Sequence, residues 1–395
     1  MLFKFLFGFW VLILFACAPL RPVGPQGEFP VPPAEPEPSS KTEPETEPRI
    51  QPPRDYERRY IIDVGIAFEK KAATIECPNK KWEFKAKAQL GKQEIQSDGD
   101  CSYAGKAYRG KWSVLSTDSG IAVINSLPVE DYLKGVVPYE IGRLKQGEIE
   151  ALKAQAVAAR TYAYHHLGSR KSQGFDVYAD TRDQVYNGKN DEDPVTNEAI
   201  AATSGLVIKN NGNLIEAYYH STCSGRTDSP EVWDSGNRPY LVSVSDSVNG
   251  RVYCGLSKYI NWEEKFTKAE LGKLFPKNMV AAKVENVFPF SKVEQVFITE
   301  KFPSGRVKRL VVFTDKGSFE VFGDRTRWIF QRDGRALPSA LFSLSREKDN
   351  FTIRGSGFGH GIGMCQMGVI ARAREGQKFE EILKAYYTDV SIEEY

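Results

Sequence analysis

Glu148-Ile149-Glu150-Ala151-Leu152-Lys153-Ala154-Gln155-Ala156-Val157-Ala158-Ala159-Arg160-Thr161-Tyr162-Ala163-Tyr164-His165-His166-Leu167 is the stretch around which the rest of the chain is read. Ile149, Leu152, Ala156, Ala159, Ala163 and Leu167 recur at helical spacing, which predicts a helix. Its small side chains allow another element to approach closely. Lys153 and Arg160 share one face with Tyr164 a turn beyond, and alone they read as a solvated cationic face. Upstream, Val136-Val137-Pro138-Tyr139-Glu140-Ile141-Gly142 sets a carboxylate among apolar neighbours in a strand-to-loop context. An apolar setting disfavours the anion and raises the pKa, which prepares a general acid. The alternative is a partly buried structural glutamate paired with Lys153 or Arg160.

The chain has 395 residues and a formal net charge of +2. Its length suggests two or three domains. Nearly balanced charge argues against nucleic-acid binding, which needs a basic excess or stripe. Four His and six Cys are too few for a cluster-rich metalloprotein.

At the N-terminus Lys4 precedes an apolar run from Phe5 to Ala16, too short to span a bilayer well and followed by polar, Pro-rich chain. This reads as a signal peptide over 1–16. Leu14-Phe15-Ala16-Cys17 looks like a lipobox, so Cys17 is expected to carry the lipid after cleavage; a plain secretory signal is the alternative. Two acyl chains anchor stably where one is marginal. Ala18 favours the periplasmic face of an outer membrane if the cell has one; otherwise the anchor lies at the outer face of the cytoplasmic membrane. Residues 17–55 form a linker holding twelve of the 22 prolines, interleaved with glutamates. Such chain stays extended and reaches on the order of 100 Å.

Alternating polarity in Arg59 to Glu69, Trp82 to Leu90 and Val114 to Asn125 predicts a β-rich lobe over 56–126. Beyond the central helix come a helix from Pro194 to Thr203 and a hairpin of Leu206 to Lys209 and Leu214 to Tyr219. Residues 260–276 read as helix and 293–348 mainly as strands. Gly355-Ser356-Gly357-Phe358-Gly359-His360-Gly361-Ile362-Gly363 allows close backbone approach to a ligand or strand before a helix through Ala373. A packing turn with His360 in the core is the alternative. A last helix spans Phe379 to Tyr387.

Taken together, Leu127-Pro128-Val129-Glu130-Asp131-Tyr132-Leu133, Gly135 to Glu140, Ala151 to Ala163, Gln184-Val185-Tyr186-Asn187-Gly188, His220 to Thr227, Pro239-Tyr240-Leu241 and Gly357 to Gln366 resemble the SpoIID/LytB family of bacterial envelope proteins. The resemblance covers roughly residues 56–395. It implies an α+β fold: the β-rich lobe, then a mixed SpoIID-like core over 127–395 with a few helices and an inserted β-rich segment around 256–348. It also implies a lytic transglycosylase that cuts MurNAc–GlcNAc bonds of peptidoglycan stripped of stem peptides, with Glu140 at the position of the catalytic glutamate. Lys153 and Arg160 would steady its anion or bind the lactyl carboxylate. Tyr186 and Trp233 offer ring faces to sugars; Gln184, His220, Ser221, His360 and Gln366 offer polar contacts. Non-catalytic enhancement of a cell-wall amidase, and a glycan-binding structural lipoprotein, are the other two classes. The expected partners are glycan strands, a membrane through the lipid and an amidase.

Five cysteines remain after Cys17 in a compartment read as oxidising. Cys77 with Cys101 and Cys223 with Cys254 are the expected bridges, leaving Cys365 as a small buried residue and no nucleophile. No cofactor is expected. Some relatives hold zinc through His and Cys, and His220, Cys223 and Cys254 could supply three ligands in that alternative.

Overall fold

The computed structural model describes residues 60–86, 91–118 and 120–395. The N-terminal apolar run, Cys17 and the Pro/Glu-rich linker lie outside the described residues. Among the described residues no helix is long and apolar enough to cross a membrane.

Strand Ile61–Glu69 pairs antiparallel with Gly120–Pro128, aligning Ile61 with Pro128 and Glu69 with Ile121. Lys111–Thr117 and Gly91–Ile95 extend this sheet on one side, and the short strand Val177–Tyr178 closes the other. A second sheet runs in the order Lys80–Lys85, Ala72–Cys77, Cys101–Tyr103, Lys106–Tyr108. Alternation turns Ile62, Val64, Ile75, Val114 and Val123 into the core. The Cys77–Cys101 disulfide is formed.

Gly120–Pro128 runs directly into helix α1 (Val129–Lys134), which is followed by α2 (Val137–Glu140) and α3 (Ile149–His166). The boundary read at 126 therefore falls within a strand. One continuous core also joins Ile62 and Val64 of the sheet to Ala156, Ala159, Val369 and Leu383. Lobe and helices are one packing unit.

Helix α3 is buried on nearly every side, including Ala151, Ala154, Ala158, Ala159 and Ala163. Alanine lets neighbours approach from several directions, so α4 (Pro194–Ala202) and strand Leu206–Asn210 both pack on it. Asp193 caps α4 by accepting from the Thr196 amide at 3.0 Å, and Pro194 follows in the first turn. The cationic face expected on α3 is absent: Arg160 has no exposed surface. Its Nε and Nη2 donate to the two carboxylate oxygens of Glu130 at 2.7 and 2.8 Å. The remaining capacity goes to the carbonyls of Leu206 and Ile200 at 3.2 and 3.3 Å. Lys153 is tied to Glu150 within α3 at 2.9 Å.

The hairpin is shorter than read: Leu206–Asn210 pairs briefly with Asn213–Leu214 and then with Ser391–Glu394 near the C-terminus. The helix read over 260–276 begins late. Trp262–Thr267 is a strand paired with Asn350–Gly355, and helix α5 (Lys268–Asn278) follows. Thr267 and Glu270 form a reciprocal cap that fixes this start. With the three-stranded sheet Val293–Lys301, Val307–Thr314 and Gly317–Phe322 and the short α6 (Thr326–Ile329), this segment builds a second core around Phe266, Phe275, Val312, Phe330 and Ile353. The inserted β-rich unit thus extends past 348 to Gly355. Helices α7 (Gln366–Arg374) and α8 (Phe379–Tyr386) return to the first core.

Replacing Arg160 with Leu strands the Glu130 charge in the core. The expected loss is about 3–5 kcal/mol of unfolding free energy, read from urea denaturation beside wild type. A loss below about 1 kcal/mol, typical of an exposed pair, would show the pair to be dispensable.

Candidate active site

Glu140 ends α2, a single helical turn with Pro138 inside it, in place of the strand-to-loop context read from sequence. Its Oε1 accepts from the Val185 amide at 2.8 Å. The side chains of Gln366 and Tyr219 lie near the carboxyl and pull its pKa down, and among the described residues Gln366 Nε2 has no hydrogen-bond partner, which leaves it a free donor beside Glu140. Burial pushes its pKa up to about 7, and these three donors offset only part of the rise. None of the groups acting on it is charged. Glu140 is therefore not an ion-pair glutamate: Lys153 and Arg160 serve Glu150 and Glu130.

A short parallel pairing aligns Tyr219 with Met364 and His220 with Cys365, and Gln366 follows directly in the chain. Gln184 lies one layer behind. Fully buried, it donates from Nε2 to the Ala159 carbonyl at 3.2 Å and to the Tyr219 hydroxyl oxygen at 3.0 Å, and accepts from the Tyr132 hydroxyl at 3.2 Å. The Tyr219 oxygen accepts from Gln184, so its own proton is available to Glu140. Gln184 positions Tyr219 and is not presented to a ligand. Tyr219 and the Val185 amide escaped the sequence reading. Neither carries a spacing signal; only the strand pairing and a loop bring them to the carboxyl.

Other candidates fall elsewhere. Tyr186 is a core residue, not a sugar platform: its ring packs on Tyr108 and Tyr132 and its hydroxyl donates to Asn125 at 3.1 Å. Buried His220 shares a hydrogen bond between Nδ1 and the Ile362 carbonyl at 3.1 Å, and burial holds its pKa well below the usual imidazole value. His360 accepts at Nδ1 from the Ile362 amide at 3.0 Å and is pushed down to about 4, chiefly by burial. Both rings are neutral at pH 7. The Ser221 hydroxyl meets that of Thr222 at 3.2 Å. Trp233 packs its partly exposed ring 4.7 Å from His360 and lines a cleft of about 1190 Å³ with Phe302, Phe322, Lys283 and Lys308. Glu140 does not line that cleft.

The bridge expected between Cys223 and Cys254 is not formed: the thiols lie 3.6 Å apart and unbonded. Nor does His220 join them as a ligand. The groups around these sulfurs are Cys365 and Asp246, so the set of His220, Cys223 and Cys254 is not assembled.

The chain is 32% identical over 292 residues to an uncharacterized protein of Brachyspira hyodysenteriae, covering 74% of this chain and 73% of that relative. The SpoIID family profile, described as Stage II sporulation protein, matches residues 117–209, which contain Glu140, Arg160 and Gln184. The chain belongs to the SpoIID family. Stage II sporulation protein D of Bacillus subtilis is 28% identical over 290 residues, 69% of this chain and 76% of its own length. The amidase enhancer of the same organism is 32% identical over 295 residues; the match covers 67% of this chain and 40% of that relative. The inserted unit and the glycine-rich loop of this SpoIID-family chain match a domain of unknown function, DUF8618, over residues 256–363.

A carboxyl titrating at about 7 in the native state, against an ordinary 4.5, weakens the fold as pH rises. Below the ordinary value both states hold the proton; above it the unfolded chain gains by ionising while the recess resists. Glu140→Gln is therefore expected to stabilise the protein near pH 8 by on the order of 2–3 kcal/mol, with the gain vanishing near pH 4. Denaturant titrations of both proteins at the two pH values measure it. An equal effect at both would show that Glu140 has no raised pKa.

Proposed function

We propose that this SpoIID-family protein is a lytic transglycosylase acting on the MurNAc–GlcNAc bond of peptidoglycan, preferentially on strands without stem peptides. The observation that carries the reading is one carboxyl, poised at about 7, on which only neutral donors act. Hydrolytic glycosidases ordinarily use two carboxyl groups, one for the leaving oxygen and one for water or the sugar carbon. A muramyl residue supplies its own nucleophile.

In this reading Glu140, protonated, gives its proton to the glycosidic oxygen as the C1–O bond breaks and its electrons pass to the leaving sugar. The anion left on Glu140 is met by the Val185 amide, Tyr219 and Gln366, all of which favour the charged form. The C6 hydroxyl of the same muramyl ring then bonds to C1 and returns its proton to Glu140, closing a 1,6-anhydro ring. Holding both groups in one molecule replaces activation of water by effective concentration.

The relative named an amidase enhancer supports a second reading, in which the protein stimulates a cell-wall amidase without cutting glycans. Purified Glu140→Gln protein separates the two. On peptide-free glycans cleavage should fall by about 10²–10⁴, toward the upper end because one group serves both transfers. Wild-type kcat/KM should decline as pH rises through about 7, where Glu140 loses its proton. Mass spectrometry should find 1,6-anhydro ends; reducing ends would indicate hydrolysis. If neither protein cleaves but both accelerate an amidase, the enhancer reading stands.

The same reading puts the protein at the cell envelope on a Cys17 lipid. Cys17→Ser should move it from the detergent phase to the aqueous phase on phase separation; wild type already in the aqueous phase would exclude the anchor.

A further inference from the structure

We propose that Cys223, Cys254, Cys365 and Asp246 form a closed structural site for one zinc-class divalent ion. The three sulfurs and a carboxylate oxygen lie within 4.8 Å of one another, and all four residues are buried. Cys223 Sγ is 3.6 Å from Cys254 Sγ and 3.1 Å from Asp246 Oδ2. Bonds of about 2.3 Å to a tetrahedral zinc put neighbouring sulfurs about 3.8 Å apart, close to the Cys223–Cys254 separation of 3.6 Å. Thiolates and a carboxylate suit zinc, whereas magnesium and calcium favour all-oxygen shells.

The surroundings are arranged for charged ligands. Asp246 Oδ1 is held by Arg372 through Nε and Nη2, both at 3.2 Å, and by the Tyr386 hydroxyl at 2.8 Å, which leaves Oδ2 facing the sulfurs. The Ser224 amide donates to Cys254 Sγ at 3.2 Å and the Cys223 amide to Cys365 Sγ at 3.3 Å. Three thiolates and a carboxylate outweigh the charge of a divalent ion, and Arg372 supplies compensation. Outer contacts of this kind orient metal ligands. Gly368 on α7 completes the wall: a Cβ there would strike the Tyr386 hydroxyl and Asp246 Oδ2. A disulfide between Cys223 and Cys254 would instead leave a buried carboxylate and an odd thiol against it.

Four protein ligands leave no open coordination position, so the ion's work is structural. It ties the loop after His220, the segment around Asp246, the turn at Cys254 and the strand Met364–Cys365 to one point. Gln366 is the next residue in the chain, so the ion anchors one donor to Glu140 without touching substrate. Binding displaces the thiol protons to solvent. The inference stands whether or not the protein cleaves glycans.

The full chain, stripped with a chelator and supplied with zinc, should retain about one zinc per chain after desalting. Cobalt in its place should give thiolate-to-cobalt charge-transfer bands and intense tetrahedral d–d bands. Cys254→Ser should lose the thiolate bands or the metal. Tyr386→Phe, which removes one of the donors that hold Asp246 Oδ1, should weaken zinc affinity by roughly 10–100-fold with an unchanged circular dichroism spectrum. If Cys254→Ser does not fold, the wild-type cobalt spectrum and Tyr386→Phe decide. A folded wild-type chain that takes up neither metal, a cobalt spectrum without thiolate bands, full zinc affinity in Tyr386→Phe, or a native disulfide among these cysteines by peptide mapping overturns the site.

Discussion

The buried pair of Arg160 and Glu130 is the constraint on which the rest of the SpoIID core depends. A guanidinium with no exposed surface must find partners for its donors inside the protein. It finds both carboxylate oxygens of Glu130 on α1, the Ile200 carbonyl on α4 and the Leu206 carbonyl at the start of a strand. Three elements are thereby fixed around α3. The consequences reach the site in two directions: α1 leads through a tight turn into α2 and Glu140, and the Ala159 carbonyl, one residue before Arg160, holds the Gln184 that holds Tyr219.

Glu130 and Glu140 have the same side chain and lie on successive helices, yet their environments differ sharply. Glu130 has a bidentate cation and a further contact from the Gly205 amide at 3.3 Å. Glu140 has an amide, a phenol and a carboxamide, and burial holds it near neutrality. Environment alone divides the two roles, as it does in pairs of carboxylates with separate tasks. The division also explains why α3 carries its cations away from the site: a positive charge beside Glu140 would pull its pKa down and spend the proton.

The inserted unit has its own core but is not a passive appendage. Arg306, at the foot of its Pro303-Ser304-Gly305 turn, is buried against Asp228 at 3.6 Å and donates to the carbonyls of Arg226 and Cys223 at 3.4 Å. Its guanidinium occupies the space a side chain at Gly361 would need, and Gly361 adopts φ 88° there. Ser304 hydrogen-bonds Asp228 as well. The glycine-rich loop carrying His360 is thus shaped by the insertion. The glycines read from sequence as permitting close approach meet protein on both sides: Gly361 meets Arg306 of the insertion, whereas Gly357, Gly359 and Gly363 meet Thr222, His220 and Tyr218.

Local chemistry made much of the chain legible in advance. The apolar spacing of Ile149 to Leu167, the Asp193-Pro194 start of α4 and the alternation of Ile61–Glu69 are properties of neighbouring residues, and each element formed where expected. The carboxylate of Glu140 among apolar neighbours was likewise visible, because Val136, Val137 and Ile141 beside it in sequence are themselves buried. What failed was whatever depended on distant partners. Arg160 looked solvated because Glu130 lies thirty residues away; Tyr186 looked available for a sugar because nothing in the sequence shows Tyr108 and Tyr132 closing over it. Cys223 and Cys254 looked like a bridge because pairing by count ignores Cys365 and Asp246, which long-range strand pairing and helix packing deliver to the same point. The sequence determined the helices, the strands and the residue to watch; the tertiary structure decided which charges are paired, which thiols meet and which donors reach Glu140, since each of these is a contact between segments that only the packed core brings together.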